Sequence, residues 1–228
     1  IPQDHASLTA LYYYAEKYNI KYILNGGNIS TEVVRNPLEF FYYGTDMIHY
    51  NYILKNFSNS VLKTYPFSSI FRHKIYLRYI KRIKVVKPLN YLPYLKEEAM
   101  SFLEKNYKWK KYPQKHFESR FTKFYEGYWL PKRFGFDPRR VQYSSLILTG
   151  QLTREDALEK LKYDVYTQDE LIKDIDFICK KLDINKEELD SYFNLPKKYY
   201  WDYPNQEIIF NIGAKFLKKI GLEKSIKR

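Results

Sequence analysis

The sequence predicts an α/β segment over residues 1–110 followed by an all-helical region over 111–228, and three observations carry that reading. Two short apolar runs, Tyr22-Ile23-Leu24 and residues 83–86, follow helical patterns and end in turn chemistry: Asn25-Gly26-Gly27-Asn28 after the first, Pro88 after the second. Helix, buried strand and glycine turn in succession are the grammar of a sheet with helical crossovers. Strand-like runs stop near residue 110, and from there on the apolar period is helical.

The elements follow in order. Residues 7–18 read as a helix with Leu8, Leu11, Tyr12 and Ala15 on one face. Residues 45–56 and 69–82 carry helical patterns, and Glu97 and Glu98 open another helix bearing Ala99, Phe102 and Leu103. Residues 116–130 place Phe117, Phe121, Phe124 and Tyr128 on one face of a helix. Asp137-Pro138 reads as an N-cap followed by proline at the first helical position, with Gly150 closing the helix. Thr153-x-x-Asp156, Thr167-x-x-Glu170 and Asn185-x-x-Glu188 each resemble a capping box. The helix over 167–182 is expected to bury Leu171, Ile175, Ile178 and Leu182. A last helix follows Pro204 with Ile208, Ile209, Ile212 and Phe216, and ends at Gly221.

Composition narrows the function classes. Aromatic residues make up 19% of the 228 residues, which excludes a disordered chain. The absence of a long apolar run argues against membrane insertion. One cysteine, Cys179, excludes an internal disulfide framework and a multi-cysteine zinc site, and the usage fits a cytoplasmic protein. Cys179 itself reads as a small buried hydrophobe between Ile178 and Leu182. The sequence opens at Ile1, close to a helical pattern and without a signal-peptide profile, so an internal start is expected. The net charge of +13 raises a polyanion as partner. Residues 1–95 hold twelve Lys/Arg against five acids, so each carboxylate there stands out.

Five constellations bear chemistry, each with a plainer reading beside it. In Asn25-Gly26-Gly27-Asn28-Ile29-Ser30-Thr31-Glu32, glycines after a strand let backbone N–H groups approach a phosphate, Asn28 and Ser30 can donate to it, and Glu32 can hold Mg²⁺. The plainer reading is an ordinary glycine turn, and no Gly-Lys-Ser/Thr follows to make it a Walker loop. Gln3-Asp4-His5 reads as an N-cap and its neighbour. In Lys115-His116-Phe117-Glu118-Ser119-Arg120, a histidine among carboxylates and cations suits acid–base work on an anionic substrate; the plainer reading is a charged helix face with Lys115, Glu118 and Ser119 together. Arg139 and Arg140 stand in a first helical turn, against the dipole, and so can receive a phosphate or carboxylate; simple exposure also accounts for them. The basic, aromatic stretch 72–87 can track a nucleic-acid backbone, though a solvated helix face is the preferred reading.

The runs Tyr22-Ile-Leu-Asn-Gly-Gly-Asn-Ile-Ser-Thr-Glu32 and Lys115-His-Phe-Glu-Ser-Arg-Phe-Thr-Lys-Phe-Tyr-Glu-Gly-Tyr-Trp-Leu-Pro131 resemble the N-acetyl sugar amidotransferases. Val85-Val-Lys-Pro-Leu-Asn-Tyr-Leu-Pro93, Phe134-Gly-Phe-Asp-Pro-Arg-Arg140 and the run from Ser144 to Ala157 extend the resemblance over most of the chain. It implies the C-terminal part of a doubly wound, parallel-sheet PP-loop (HUP-like) nucleotide-binding domain, then a helical region. It also implies a reaction: ATP adenylates a sugar acetamido oxygen, and ammonia from a glutaminase subunit then displaces AMP to leave an acetamidino group. The sugar, free or nucleotide-linked, would be a bacterial surface-glycan precursor of the lipopolysaccharide O-antigen or pseudaminic type. By motif position, Lys115, His116, Glu118 and Arg120 are the catalytic candidates, Gly26, Gly27, Asn28 and Ser30 the ATP contacts, Glu32 the Mg²⁺ ligand, and Arg139 and Arg140 the substrate contacts.

The superfamily's first motif, Ser-Gly-Gly-x-Asp-Ser, does not occur in this sequence. The family carries it upstream, in line with the internal start, so the chain alone is expected to be inactive toward ATP. The alternatives are a tRNA-modifying enzyme of the same superfamily, disfavoured by the lone Cys179, and a non-catalytic basic RNA-binding module with salt-sensitive binding. Nucleic acid is accordingly not the expected partner.

Overall fold

A computed structural model describes residues 2–58, 62–112 and 114–221. In chain order these form α1 (Pro2–Lys17), β1 (Tyr22–Leu24), α2 (Ile29–Glu32), α3 (Met47–Phe57), a π-helix (Arg72–Ile80), β2 (Lys84–Val86), α4 (Lys96–Tyr107), α5 (Arg120–Phe124), a π-turn (Tyr125–Trp129), α6 (Leu130–Phe134), α7 (Arg139–Leu148), α8 (Arg154–Lys162), α9 (Gln168–Leu182), α10 (Lys186–Asn194) and α11 (Glu207–Lys219). They gather into two compact units. Unit one holds residues 1–26, 36–88 and 198–228; unit two holds 27–35 and 89–197. The boundary expected at 110/111 therefore falls inside unit two. Strand grammar reads local elements, whereas compactness depends on which distant segments return to one another.

In unit one, β1 and β2 pair in parallel, Tyr22 against Lys84 and Leu24 against Val86. Ile23 and Ile83 point into a core with Ala15 of α1 and Leu77 of the π-helix. Tyr22, Leu24 and Lys84, on the face opposite Ile23 and Ile83, are exposed, so the two strands are covered on one face, unlike the fully buried strands of a large parallel sheet. Glu16 of α1 accepts from the Tyr76 hydroxyl at 2.7 Å and pairs with Arg72 and Lys81, fastening α1 to the π-helix. The Tyr76 hydrogen bond, with help from Lys81 and Arg72, holds the Glu16 carboxyl below its ordinary range.

The start of α1 departs from expectation. Asp4 lies within the first turn rather than capping it. His5 is buried: its Nε2 accepts the Ser68 N–H at 3.1 Å, which leaves Nδ1 to donate to the Gly44 carbonyl at 2.6 Å. Asp46 caps α3, accepting from the His49 N–H at 2.9 Å. The same carboxylate takes the Tyr200 hydroxyl and the Gln206 N–H, and Gln206 returns a bond to the Met47 N–H at 2.9 Å. This network draws the C-terminal segment onto α3. In α11, Leu217 is buried and Phe210 stacks on Tyr43 at 3.9 Å, while Ile208, Ile209, Ile212 and Phe216 are exposed.

Unit two is helical apart from its connecting turns. Phe124, Ile178, Cys179 and Leu189 form its core, so Cys179 is buried as expected. Leu182, at the end of α9, is exposed rather than buried. Thr167 and Glu170 make a complete capping box; Thr153 and Asn185 cap α8 and α10. The helix expected over 116–130 starts only at Arg120. Residues 115–118 form a turn, and Ser119 becomes the cap, its hydroxyl accepting the Thr122 N–H. Lys115, Glu118 and Ser119 therefore do not share a helical face.

Candidate functional site

The candidate residues of unit two are arranged around α7. Asp137 accepts the Arg139 N–H at 2.9 Å and opens the helix. Its carboxylate also holds the Arg139 guanidinium at 2.8–3.1 Å, and that guanidinium reaches the Tyr163 carbonyl at 2.8 Å beyond the end of α8. The unfavourable position of Arg139 against the helix dipole is thus answered inside the chain. The expected anion-receiving role meets an occupied guanidinium, whereas Arg140 is exposed.

The C-terminal end of α7 positions the segment after the glycines. Gly150 adopts φ +71°, and the Gln151 N–H closes back on the Leu146 carbonyl. That turn aims two side chains at one carbonyl: Thr149 Oγ1 and Gln151 Nε2 donate to Ser30 O at 2.8 and 3.3 Å. Buried Ser145 accepts the Val34 N–H at 3.0 Å. Asn28 caps α2 through its Oδ1, which accepts from the Thr31 N–H and hydroxyl. The Ile29 N–H is bound by Asn90. The backbone donors of residues 29 and 31 are therefore already committed, and the cradle expected there is not an open one. In unit one, Gly26 follows β1; a Cβ there would meet nothing within 4 Å, and its φ is not left-handed. Nothing in the described chain itself requires glycine at position 26.

Glu32 and Lys115, 83 residues apart, come together at 2.7 Å. Among the described residues no group of three His, Cys, Asp or Glu gathers to hold a metal. Glu32 supplies a single carboxylate, already beside an ammonium. It fits Mg²⁺ only as one ligand among substrate phosphate oxygens and water, the habit of that ion.

Lys96, at the start of α4, was not among the expected site residues. Its N–H donates to Gln151 Oε1 at 2.8 Å. Burial first, and then the charges of Lys115, Lys111 and Lys160 against the counter-pull of Glu97, hold its ammonium below the ordinary lysine range. A lysine uncomfortable with its own charge is stabilised by an incoming anion.

The turn 114–118 is fixed at both ends. Gln114 bonds Gln142 and accepts the Tyr143 hydroxyl of α7 at 3.3 Å. His116 adopts φ +72°, and its Nδ1 lies 3.1 and 3.2 Å from the two carboxylate oxygens of Glu126. A carboxylate accepts, so this pair forms as a hydrogen bond when Nδ1 carries the proton. Glu118 is exposed. Arg120 is engaged elsewhere: its Nε donates to Asp174 at 2.7 Å, a second nitrogen to the Lys173 carbonyl, and its plane lies 4.1 Å above Phe177. Asp174 also accepts the Tyr166 hydroxyl, so Arg120 sits in a network that ties α5 to α9. The structure thus brings Lys115 to Glu32 and His116 to Glu126. It adds Lys96, Gln151 and Glu126, and it turns Arg120 and Arg139 toward internal carboxylates.

These features describe a helical domain with a basic, partly buried face and a histidine backed by a carboxylate. Residues 118–220 match the family model described as the LPS biosynthesis protein WbpG-like, C-terminal domain. The C-terminal part of the chain is therefore similar to a domain of lipopolysaccharide biosynthesis proteins. Neither the curated proteins nor the solved structures contain a significant match. Among the described residues no helix is long and apolar enough to cross a membrane.

Proposed function

We propose that this chain serves bacterial surface-glycan biosynthesis as an ATP-dependent amidotransferase that converts a sugar N-acetyl group to an acetamidino group. The match over residues 118–220 supports the glycan setting. The observation that carries the chemistry is the approach of Glu32, Lys115 and the Lys96 turn from three separate stretches of unit two. The reaction develops negative charge on phosphate and must remove a proton from nitrogen, and lysines and an exposed histidine answer those needs.

In the first step the acetamido oxygen bonds to the α-phosphorus of the substrate ATP and pyrophosphate leaves. In the second, ammonia attacks the imidate carbon, the C–O bond breaks and AMP leaves. Lys115 and Lys96 face the phosphate charge, and His116 receives the proton lost from nitrogen. Gly26, Gly27, Asn28 and Ser30 remain the proposed nucleotide contacts on their residue types alone, since the Ile29 and Thr31 N–H groups are already bonded within the chain. Mg²⁺, when bound, would neutralise phosphate charge with Glu32 as its one protein ligand. Arg120 and Arg139 act through their carboxylate partners, leaving Arg140 and Glu118 to meet the sugar. A glutaminase subunit supplies the ammonia.

The test uses the natural gene product that contains these residues, supplied with ATP, Mg²⁺, ammonium and free or nucleotide-linked acetamido sugars. Mass spectrometry should show exchange of one oxygen for NH, matched by pyrophosphate release and lost in Lys115→Ala. Pyrophosphate release without a change in any sugar, or salt-sensitive RNA binding as the only activity, would overturn the reading.

A further inference from the structure

Three local irregularities meet at one point in unit two. His116 is left-handed at φ +72°, uncommon for a residue other than glycine, although histidine, like Asn and Asp, takes it more readily than most. Residues 125–129 form a π-turn, closed by the Leu130 N–H on the Tyr125 carbonyl five residues back. Glu126 within that turn is only 6% exposed, and a buried carboxylate needs a partner. The partner is His116, whose Nδ1 faces both carboxylate oxygens.

The neighbouring residues fix the approach. Val165 fills the place where a side chain on Gly127 would stand, with Phe117 beside it: a Cβ there would lie 2.6 Å from Val165 Cγ1 and 3.4 Å from Phe117 Cζ. Two consecutive residues of the turn thus engage two consecutive residues of the π-turn, His116 on Glu126 and Phe117 on Gly127. The His116 side chain keeps 43% of its surface exposed, while its Nδ1 edge faces the buried carboxylate. Strained turns and π-turns that persist in a fold commonly serve a site.

Resting on the amidotransferase reading, we propose that Glu126 is a positioning residue that binds the Nδ1 proton of His116 and so leaves the Nε2 lone pair toward solvent as the proton acceptor of the ammonia step. In that step the C–N bond forms, the C–O bond breaks with its electron pair leaving on AMP, and the proton released from nitrogen passes to Nε2 and then to water. A histidine that only tethered the turn would hold the same tautomer, so the role in proton transfer is read from kcat rather than from the tautomer alone.

The experiment reads the tautomer directly, by ¹⁵N–¹H spectra of the imidazoles of the ¹⁵N-labelled chain at about pH 8, above the ordinary histidine range. His116 is identified by the signal lost in His116→Gln. The expected wild-type form has Nδ1 protonated and Nε2 bare. Glu126→Leu should move the population to Nε2–H by at least fivefold, and Glu126→Gln, which keeps the shape and removes the charge, should move it part of the way. Should Glu126→Leu fail to fold by circular dichroism, the Gln variant carries the test. A wild-type ring protonated on Nε2, or a tautomer unmoved by the folded variants, would overturn the proposal. In the sugar assay Glu126→Gln should lower kcat at least tenfold with KM for the sugar unchanged. A wild-type protein that shows the expected tautomer but never amidinates a sugar would refute the amidotransferase reading and leave standing only the control of the His116 tautomer by Glu126.

Discussion

Asp46 in unit one and Glu126 in unit two are both buried carboxylates, and the two are used differently. Asp46 in unit one, 1% exposed, accepts from the His49 and Gln206 N–H groups and the Tyr200 hydroxyl. All three donors are neutral, and together they close the carboxylate off from any visitor. Glu126 in unit two, nearly as buried, meets an imidazole whose side chain remains well exposed. A carboxylate closed by neutral donors joins segments of the chain. One that shares its charge with an exposed titratable ring can assist proton transfer. Burial alone does not separate these cases; the partners do.

The comparison is broken most forcefully at Asp46. Asp46→Ala leaves two N–H groups and a hydroxyl of unit one without their acceptor, and the expected loss is about 3–5 kcal/mol in urea denaturation. A loss below about 1 kcal/mol would mean that the network does not hold the C-terminal segment. In unit two the matching change is Gly127→Ala, which forces the Val165 side chain to move. It should cost about 1–3 kcal/mol and disturb the His116 signal, and a neutral result with an unchanged spectrum would dismiss the packing argument.

A smaller effect is expected from His73 in unit one. Burial, with the nearby charges of His5, Arg72 and Lys74, pushes its pKa down to about 4. The native state therefore binds fewer protons than the unfolded chain between the ordinary histidine pKa and about 4. This contribution to stability is complete above the ordinary value and declines as pH falls through that window. Denaturation midpoints of His73→Phe should fall less steeply than wild type from about pH 7 to about pH 4. Parallel curves would refute the assignment. The smallest stability change belongs to Lys115→Ala, whose pair with Glu32 is half exposed; about 0.5 kcal/mol or less is expected. The same variant should lose at least tenfold in kcat/KM for the sugar, about 1.4 kcal/mol, if the lysine meets the substrate. Equal losses in stability and activity would make it a structural pair.

Much of the local structure was legible. The strand after α1 and its partner before Pro88 appear as expected, and Thr153, Thr167 and Asn185 cap the helices that their spacing announces. The run from Lys115 to Pro131 stood out by its residue types, yet its geometry did not. A periodicity of 3.6 residues assigns Glu126 away from the face of Phe121, Phe124 and Tyr128, and the π-turn adds a residue to the turn and carries Glu126 inward. The partners of Arg139 at Tyr163 and of Arg120 at Asp174 are 24 and 54 residues away, beyond any spacing rule. The apolar residues of α11 share the helical period of a core face, but only Leu217 among them and their neighbours is buried. Periodicity identifies a face without saying what covers it.

The sequence by itself determined the short-range features: helix starts, the glycine turns, the basic charge and the kinds of side chain available for proton and phosphate chemistry. These depend on bonds between residues three or four apart, which the order of residues encodes directly. Only the tertiary structure decided which charges became partners. It brought Lys115 to Glu32 and His116 to buried Glu126, and it tied Arg120 to Asp174 and Arg139 to the Tyr163 carbonyl. The physical reason is that the worth of a charge depends on its burial and on what else competes for its partner, and both are set by segments far apart in the chain.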